Sequence, residues 1–137
     1  MLLTFDDGNE DNYANAFPIM KKYGFTGVLY IVAQYMGTPN YLTTDQIIEM
    51  ADAGWEVGSH SETHRDLLSD TESLRYEIVQ SRSDLEDRLG VPVLTFAYPF
   101  GDEGSAAGDY VHFAGYIAAM GATGYSWNQG KGNLYLL

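Results

Sequence analysis

The sequence predicts an α/β fold in which short strands alternate with helices around a mostly parallel sheet or barrel. Three observations carry this reading. Short β-branched or aromatic runs recur between segments with helical start and stop signals. No internal repeat, low-complexity tract or Pro/Gly/Ser linker divides the chain. The residues with chemical potential fall where strands are expected to end, which is where ligands sit in such folds. A length of 137 residues suits a single domain over 1–137, and 45% hydrophobic with 14% aromatic residues supplies enough apolar material for its core.

Residues 2–5 read as a first strand ended by Asp6-Asp7-Gly8. Residues 12–23 read as a helix in which Pro18 marks an irregular first part or a fresh start, with Gly24 as its stop. Residues 26–32 are β-branched and aromatic enough for a buried strand, followed by a Gly/Pro/Asn loop to Asn40. Thr43 with Gln46 forms a capping-box pattern for a helix through Ala53, stopped by Gly54. Residues 55–58 form the next inner strand, delivering Ser59 and His60 at its carboxyl end.

Ser69 with Glu72 predicts a second capping box, Leu74, Ile78, Leu85 and Leu89 a buried face, and Gly90 with Pro92 the end of that helix. Residues 93–97 are a further strand running into Tyr98-Pro99-Phe100-Gly101. A Gly-rich loop, a helix over 110–120 and a last strand over 123–127 complete the pattern.

Composition narrows the partners. Seven Lys plus Arg against 19 Asp plus Glu give a net charge of −12, the wrong sign for nucleic acid or an anionic membrane. The longest apolar run, Val28 to Ala33, falls far short of the roughly 18 residues a spanning helix needs, so no membrane insertion is expected. The amino-terminal residues reach Asp6 and Asp7 before an apolar signal region could form, so no secretory signal is read there. With no Cys, a transition-metal site must be built from His, Asp and Glu, and there are only 3 His.

Asp6 and Asp7 sit at a strand end where Gly8 frees the backbone to turn, so both can tip toward one cavity, one binding a cation and the other acting as base. A polar turn is the plain reading of these residues taken alone. His60 and His64 are at i and i+4 directly after a strand, a spacing that lets both reach one ion if the segment makes a helical turn. The H-E-x-x-H pattern of zincins fails, because Ser61 stands where Glu is required. Two His and one Asp complete a three-ligand set for catalytic Zn²⁺, and a carboxylate from Asp6 or Asp7 remains to take a proton from water. Tyr98-Pro99-Phe100-Gly101 pairs a rigid Pro with a permissive Gly around aromatic rings, suited to presenting a backbone N–H to an oxyanion and walling a small acyl pocket.

The three segments in this order resemble the polysaccharide deacetylases of carbohydrate esterase family 4. Thr4 to Gly8 is similar to the family's first motif, His60 to His64 to its H-S-x-x-H second motif, and Ala97 to Gly101 to an A-Y-P-x-G form of its third. The resemblance implies an irregular (β/α) barrel and removal of N-acetyl or O-acetyl groups from a polysaccharide such as an N-acetylglucosamine polymer. It further implies Asp6 as general base, Asp7, His60 and His64 as ligands to Zn²⁺ or another divalent ion such as Co²⁺ or Ni²⁺, and the Phe100 N–H as oxyanion donor. Tyr98, Pro99, Phe100 and Gly101 would frame the acetyl pocket, and an extracytoplasmic location is implied.

Two departures from the family stand out. Ala97 occupies a position where many members carry an Arg paired with the catalytic Asp. Beyond residue 101 there is neither a D-x-x-D-W motif nor a Leu-x-His segment, so the barrel is expected to be incomplete at its C-terminal end and no general acid is evident. His112 reads as an ordinary surface or capping histidine, and Tyr125 and Trp127 as core aromatics or sugar-stacking rings. Glu10 and Asp11 read as helix-start charges or cleft-rim groups. The rival to a hydrolase is a carbohydrate-binding module of the same fold that keeps the metal but has lost turnover.

Overall fold

A computed structural model describes residues 2–101 and 104–122. Five strands, β1 (Thr4–Phe5), β2 (Val28–Ile31), β3 (Glu56–Ser59), β4 (Thr95–Ala97) and β5 (Ala118–Met120), pair in parallel in the order β1-β2-β3-β4-β5. Every crossover advances one strand in the same direction. Crossovers of one hand then stack their helices on one face, and the sheet curls into a half-barrel, as the sequence leads one to expect.

The helical layer begins with α1, a π-helical stretch Asn12–Ala16 that runs into α-helix Phe17–Lys22 with Pro18 in its first turn. The expected irregular first part is therefore present, and the helix changes from π to α hydrogen bonding just before Pro18, which has no N–H to donate. Helix α2 (Thr44–Asp52) opens with the expected capping box, in which the Gln46 N–H donates to Thr43 Oγ1 and the Thr43 N–H to Gln46 Oε1. Helix α3 joins a π-helical stretch Arg75–Gln80 to α-helix Ser81–Leu89, and α4 spans Ser105–Phe113.

Two expectations are corrected. The Ser69–Glu72 capping box does not form, because the Leu68 and Ser69 N–H groups donate to Asp66 Oδ1 and the Ser69 hydroxyl to the Asp66 carbonyl. Asp66 thus builds a local turn, and α3 begins later without a side-chain cap. The helix expected over 110–120 starts and ends earlier, because Gly115 turns the chain at φ 82° and the Ile117 N–H pairs with the Leu94 carbonyl to open β5. The strand expected over 123–127, with Tyr125 and Trp127, lies outside the described residues.

The sheet has an apolar layer on each side. Leu29, Ile31, Val57 and Phe96 pack toward Phe17, Ile47, Met50, Ile78 and Leu85 in the main core. Val28, Tyr30 and Ala97 form a smaller inner cluster with Met120 against it. β2 is buried on both faces, which explains its unbroken apolar run. Tyr30 stands opposite Gly58 in the β2–β3 register, and a Cβ at Gly58 would lie 2.5 Å from the Tyr30 ring and 2.9 Å from Thr95 Oγ1. Gly58→Ala is therefore expected to destabilise the fold by about 1–3 kcal/mol, the usual cost of overpacking. Urea denaturation checks this: an unchanged midpoint would show that the ring has another seat.

Candidate active site

The described candidate residues gather at the carboxyl ends of β1, β3 and β4. After β1 the chain turns through Asp7 at φ 68° and Gly8 at φ 75°, which brings Asp7 toward the exit of β3. Asp7 Oδ1 lies 3.6 Å from His60 Nε2 and 3.3 Å from His64 Nε2. One ligand atom from each of the three residues lies within 4.8 Å of the others, close enough to surround a single ion.

His60 follows β3 directly. Its backbone N–H donates to the Ile31 carbonyl at 2.8 Å, extending the parallel ladder, and its ring Nδ1 lies 2.8 Å from the Ala97 carbonyl at the end of β4. A carbonyl only accepts, so Nδ1 carries the proton and Nε2 presents its lone pair to Asp7 and His64. Burial pushes the His60 imidazole below its usual pKa, with the Ala97 carbonyl opposing that shift. A neutral imidazole with a free Nε2 is the form that binds a metal.

The segment from His60 to His64 makes no helical turn, the local route by which the i, i+4 spacing could bring both rings to one ion. Ser61 and His64 adopt left-handed backbone, φ 71° and 63°, so the two rings meet through an irregular loop. The Ser61 N–H donates to Ser59 Oγ at 3.2 Å and the His64 N–H to Ser61 Oγ at 2.9 Å, giving the loop its own hydrogen bonds. The imidazoles sit edge to face with centroids 4.8 Å apart.

The β4 exit supplies the third wall. Tyr98 is buried and donates its N–H to the Met120 carbonyl at 2.9 Å, while Phe100 stands 65% exposed at φ 61° with its ring 4.8 Å from that of His64. A Cβ on Gly101 would fall 2.2 Å from the Ala122 Cβ, so only glycine allows this turn to pass so close. Asp6, His60, Tyr98, Phe100 and Gly101 line a common cavity of about 200 Å³, whose other walls include Thr4, Tyr30 and Met120. Pro99 is buried and does not reach that lining.

His112 is exposed near the end of α4 and is not among the lining residues, and Glu10 and Asp11 are exposed beyond β1. Sequence reasoning missed the aromatic row beside the site. Tyr35 lies 6.5 Å from the His64 ring and 4.7 Å from Tyr41, and an Asn9–Tyr41 bridge ties this loop to the segment after Asp7. The Gly/Pro/Asn composition of 33–40 announced a loop but not its folding back. Glu77, 14 positions from its partner Thr63, gave no local signal either.

In sequence and fold the chain is similar to known proteins. A family model described as polysaccharide deacetylase matches residues 1–119. The Bacillus subtilis (strain 168) protein YxkH is 32% identical over 102 residues, 74% of this chain and 37% of YxkH. The poly-beta-1,6-N-acetyl-D-glucosamine N-deacetylase of Staphylococcus epidermidis is 27% identical over 103 residues, 71% of this chain and 36% of that protein. The chain thus spans little more than a third of the length of these relatives. Among solved structures, the Streptococcus pyogenes deacetylase PplD in complex with acetate aligns with a TM-score of 0.81 at 28% identity, covering 85% of this chain and 53% of that one. With the family model matching most of the sequence and the fold matching that of its solved members, the chain belongs to the polysaccharide deacetylase family.

Proposed function

We propose that this chain is a metal-dependent hydrolase that releases acetyl groups from an acetylated polysaccharide, acting on the amide of N-acetylglucosamine units or on a related O-acetyl ester. The observation that carries this reading is the convergence of Asp7, His60 and His64 beside the cavity that Asp6 lines. The name of the staphylococcal relative supports an N-acetylglucosamine polymer as substrate. Ala97 to Gly101 would be the A-Y-P-x-G form of the third motif.

Two imidazole nitrogens and a carboxylate oxygen suit Zn²⁺, or Co²⁺ or Ni²⁺, and leave coordination positions open. Asp7, His60 and His64 would hold the ion, which when bound supplies Lewis acidity toward the acyl oxygen and toward water. Asp6 then accepts the proton of the attacking water, since it lines the cavity without being one of the three clustered donors. The Phe100 N–H donates to the developing oxyanion, and Tyr98, Phe100 and Gly101 enclose the acetyl methyl, with Pro99 stiffening the turn from behind. Among the described residues, His60 is the one imidazole that lines the cavity.

Asp7→Ala, His60→Ala and His64→Ala are each expected to abolish tight Zn²⁺ binding in calorimetric titration. Unchanged affinity in any one would remove that residue from the site. Asp6→Asn is expected to keep Zn²⁺ affinity and lower kcat by about 10²-fold or more, because an amide is nearly isosteric but accepts no proton at neutral pH. Loss of metal in this variant would instead exchange the roles of Asp6 and Asp7.

The 137-residue chain is expected to hydrolyse an activated phenyl acetate ester much faster than an N-acetyl oligosaccharide, whose amine must be protonated to leave. Acetate release with and without Zn²⁺ measures both. Equal turnover of the two substrates would mean that an acid is present. Oligosaccharide binding with no acetate from either substrate would favour the carbohydrate-binding module.

A further inference from the structure

Helix α3 presents a polar stripe to the site as well as its expected apolar face. Glu77, Ser81, Asp84 and Arg88 recur at i, i+4, i+7 and i+11, and Glu77 and Ser81 are completely buried. The Ser81 hydroxyl meets Ser59 Oγ at 2.8 Å. Arg88 donates to the Ala33 and Met36 carbonyls at 2.9 and 3.1 Å, holding the exit of β2. Glu77 acts on the loop between the two histidines.

Both Glu77 carboxylate oxygens are spent on one residue: Oε2 accepts the Thr63 N–H at 2.8 Å and Oε1 accepts the Thr63 hydroxyl. The Glu77 backbone carbonyl accepts the Glu62 N–H at 3.0 Å. The nearest cation is the Arg65 guanidinium, 3.9 Å away and itself 61% exposed. A buried carboxylate is costly, and only a carboxylate offers two acceptor oxygens to a backbone N–H and a hydroxyl at once. Thr63 lies between His60 and His64, in the stretch where Ser61 and His64 hold left-handed backbone that such residues seldom adopt.

Building on the metal-site reading above, we propose that Glu77 is a positioning residue for the metal centre: its grip on Thr63 holds the loop in the strained shape that aims both imidazoles at Asp7 before an ion arrives. Ser81 holds the other end of the same loop through Ser59, whose Oγ accepts the Ser61 N–H. Without Glu77 the loop relaxes from its left-handed turns, and binding must then restore that geometry at the expense of affinity.

Calorimetric Zn²⁺ titration and metal-free melting of the 137-residue chain test this. Glu77→Ala is expected to weaken Zn²⁺ binding about 10- to 100-fold, the range for removing a partner behind a metal ligand. Glu77→Gln, which keeps one acceptor oxygen, and Thr63→Val, which keeps the N–H bond, are expected to fall between Glu77→Ala and wild type. Leu85→Ala, on the apolar face of α3, is expected to lower the metal-free Tm while leaving affinity unchanged, which separates positioning from general stability. Wild-type affinity in both Glu77→Ala and Thr63→Val, measured below their melting temperatures, would overturn the proposal alone. If Glu77→Ala does not fold, Thr63→Val decides by the same criterion. A wild-type chain that binds no Zn²⁺ would instead overturn the metal-site reading, and this proposal with it.

Discussion

The hydrogen bond from the His60 imidazole to the Ala97 carbonyl joins the two strand exits on which the rest of the site depends. At 2.8 Å, and buried, it selects the His60 tautomer, points Nε2 toward Asp7, and holds the start of the Tyr98–Gly101 turn against the histidine loop. Because the acceptor is a backbone atom, the link is indifferent to the side chain at position 97. Ala97 can therefore give its methyl to the inner apolar cluster with Val28 and Tyr30 while still orienting the histidine.

Backbone strain is concentrated around this link. Of the five non-glycine residues with positive φ among those described, Asp7, Ser61, His64 and Phe100 surround the site and only Asn40 lies on a neighbouring loop. Each such residue costs on the order of 1–3 kcal/mol and persists only where its surroundings over-determine it. Here the surroundings are specific. The Ser61 hydroxyl holds the His64 N–H, the Gly8 carbonyl accepts the Leu42 N–H at 2.8 Å, and the passage of Gly101 beside Ala122 leaves no room for any side chain. The Phe100 ring stays outside, edge-on to His64, where the cavity opens.

Electrostatics grade with depth. At the mouth, Asp6 is exposed and Asp7 partly so. Beneath them three buried groups are shifted toward their uncharged forms. Desolvation lowers the His60 pKa, pushes the Tyr30 phenol up to about 12, and with the facing Asp84 carboxyl pushes Glu62 up to about 7. Asp7 is the carboxylate that faces both imidazoles, at 3.6 Å from His60 Nε2 and 3.3 Å from His64 Nε2.

The sequence by itself determined the alternation of strands and helices, the strand ends at which the candidate residues gather, and the Thr43 capping box. Each of these rests on contacts within a few positions, such as the apolar run of β2, the Gly24 and Gly54 stops, or the Asp6-Asp7-Gly8 and His60 to His64 segments. Local signals misled where a competing local bond won, as when Asp66 captured the Ser69 N–H and hydroxyl, or where one glycine outweighed a helical pattern, as Gly115 did before β5. The tertiary structure alone decided that the histidines meet through a left-handed loop, that a carbonyl 37 positions from His60 sets its tautomer, that Tyr35 stands between His64 and Tyr41, and that Glu77 stands behind Thr63. These relations join residues brought together only when parallel strands and their crossover helices pack, and no spacing along the chain encodes the direction in which a packed side chain points.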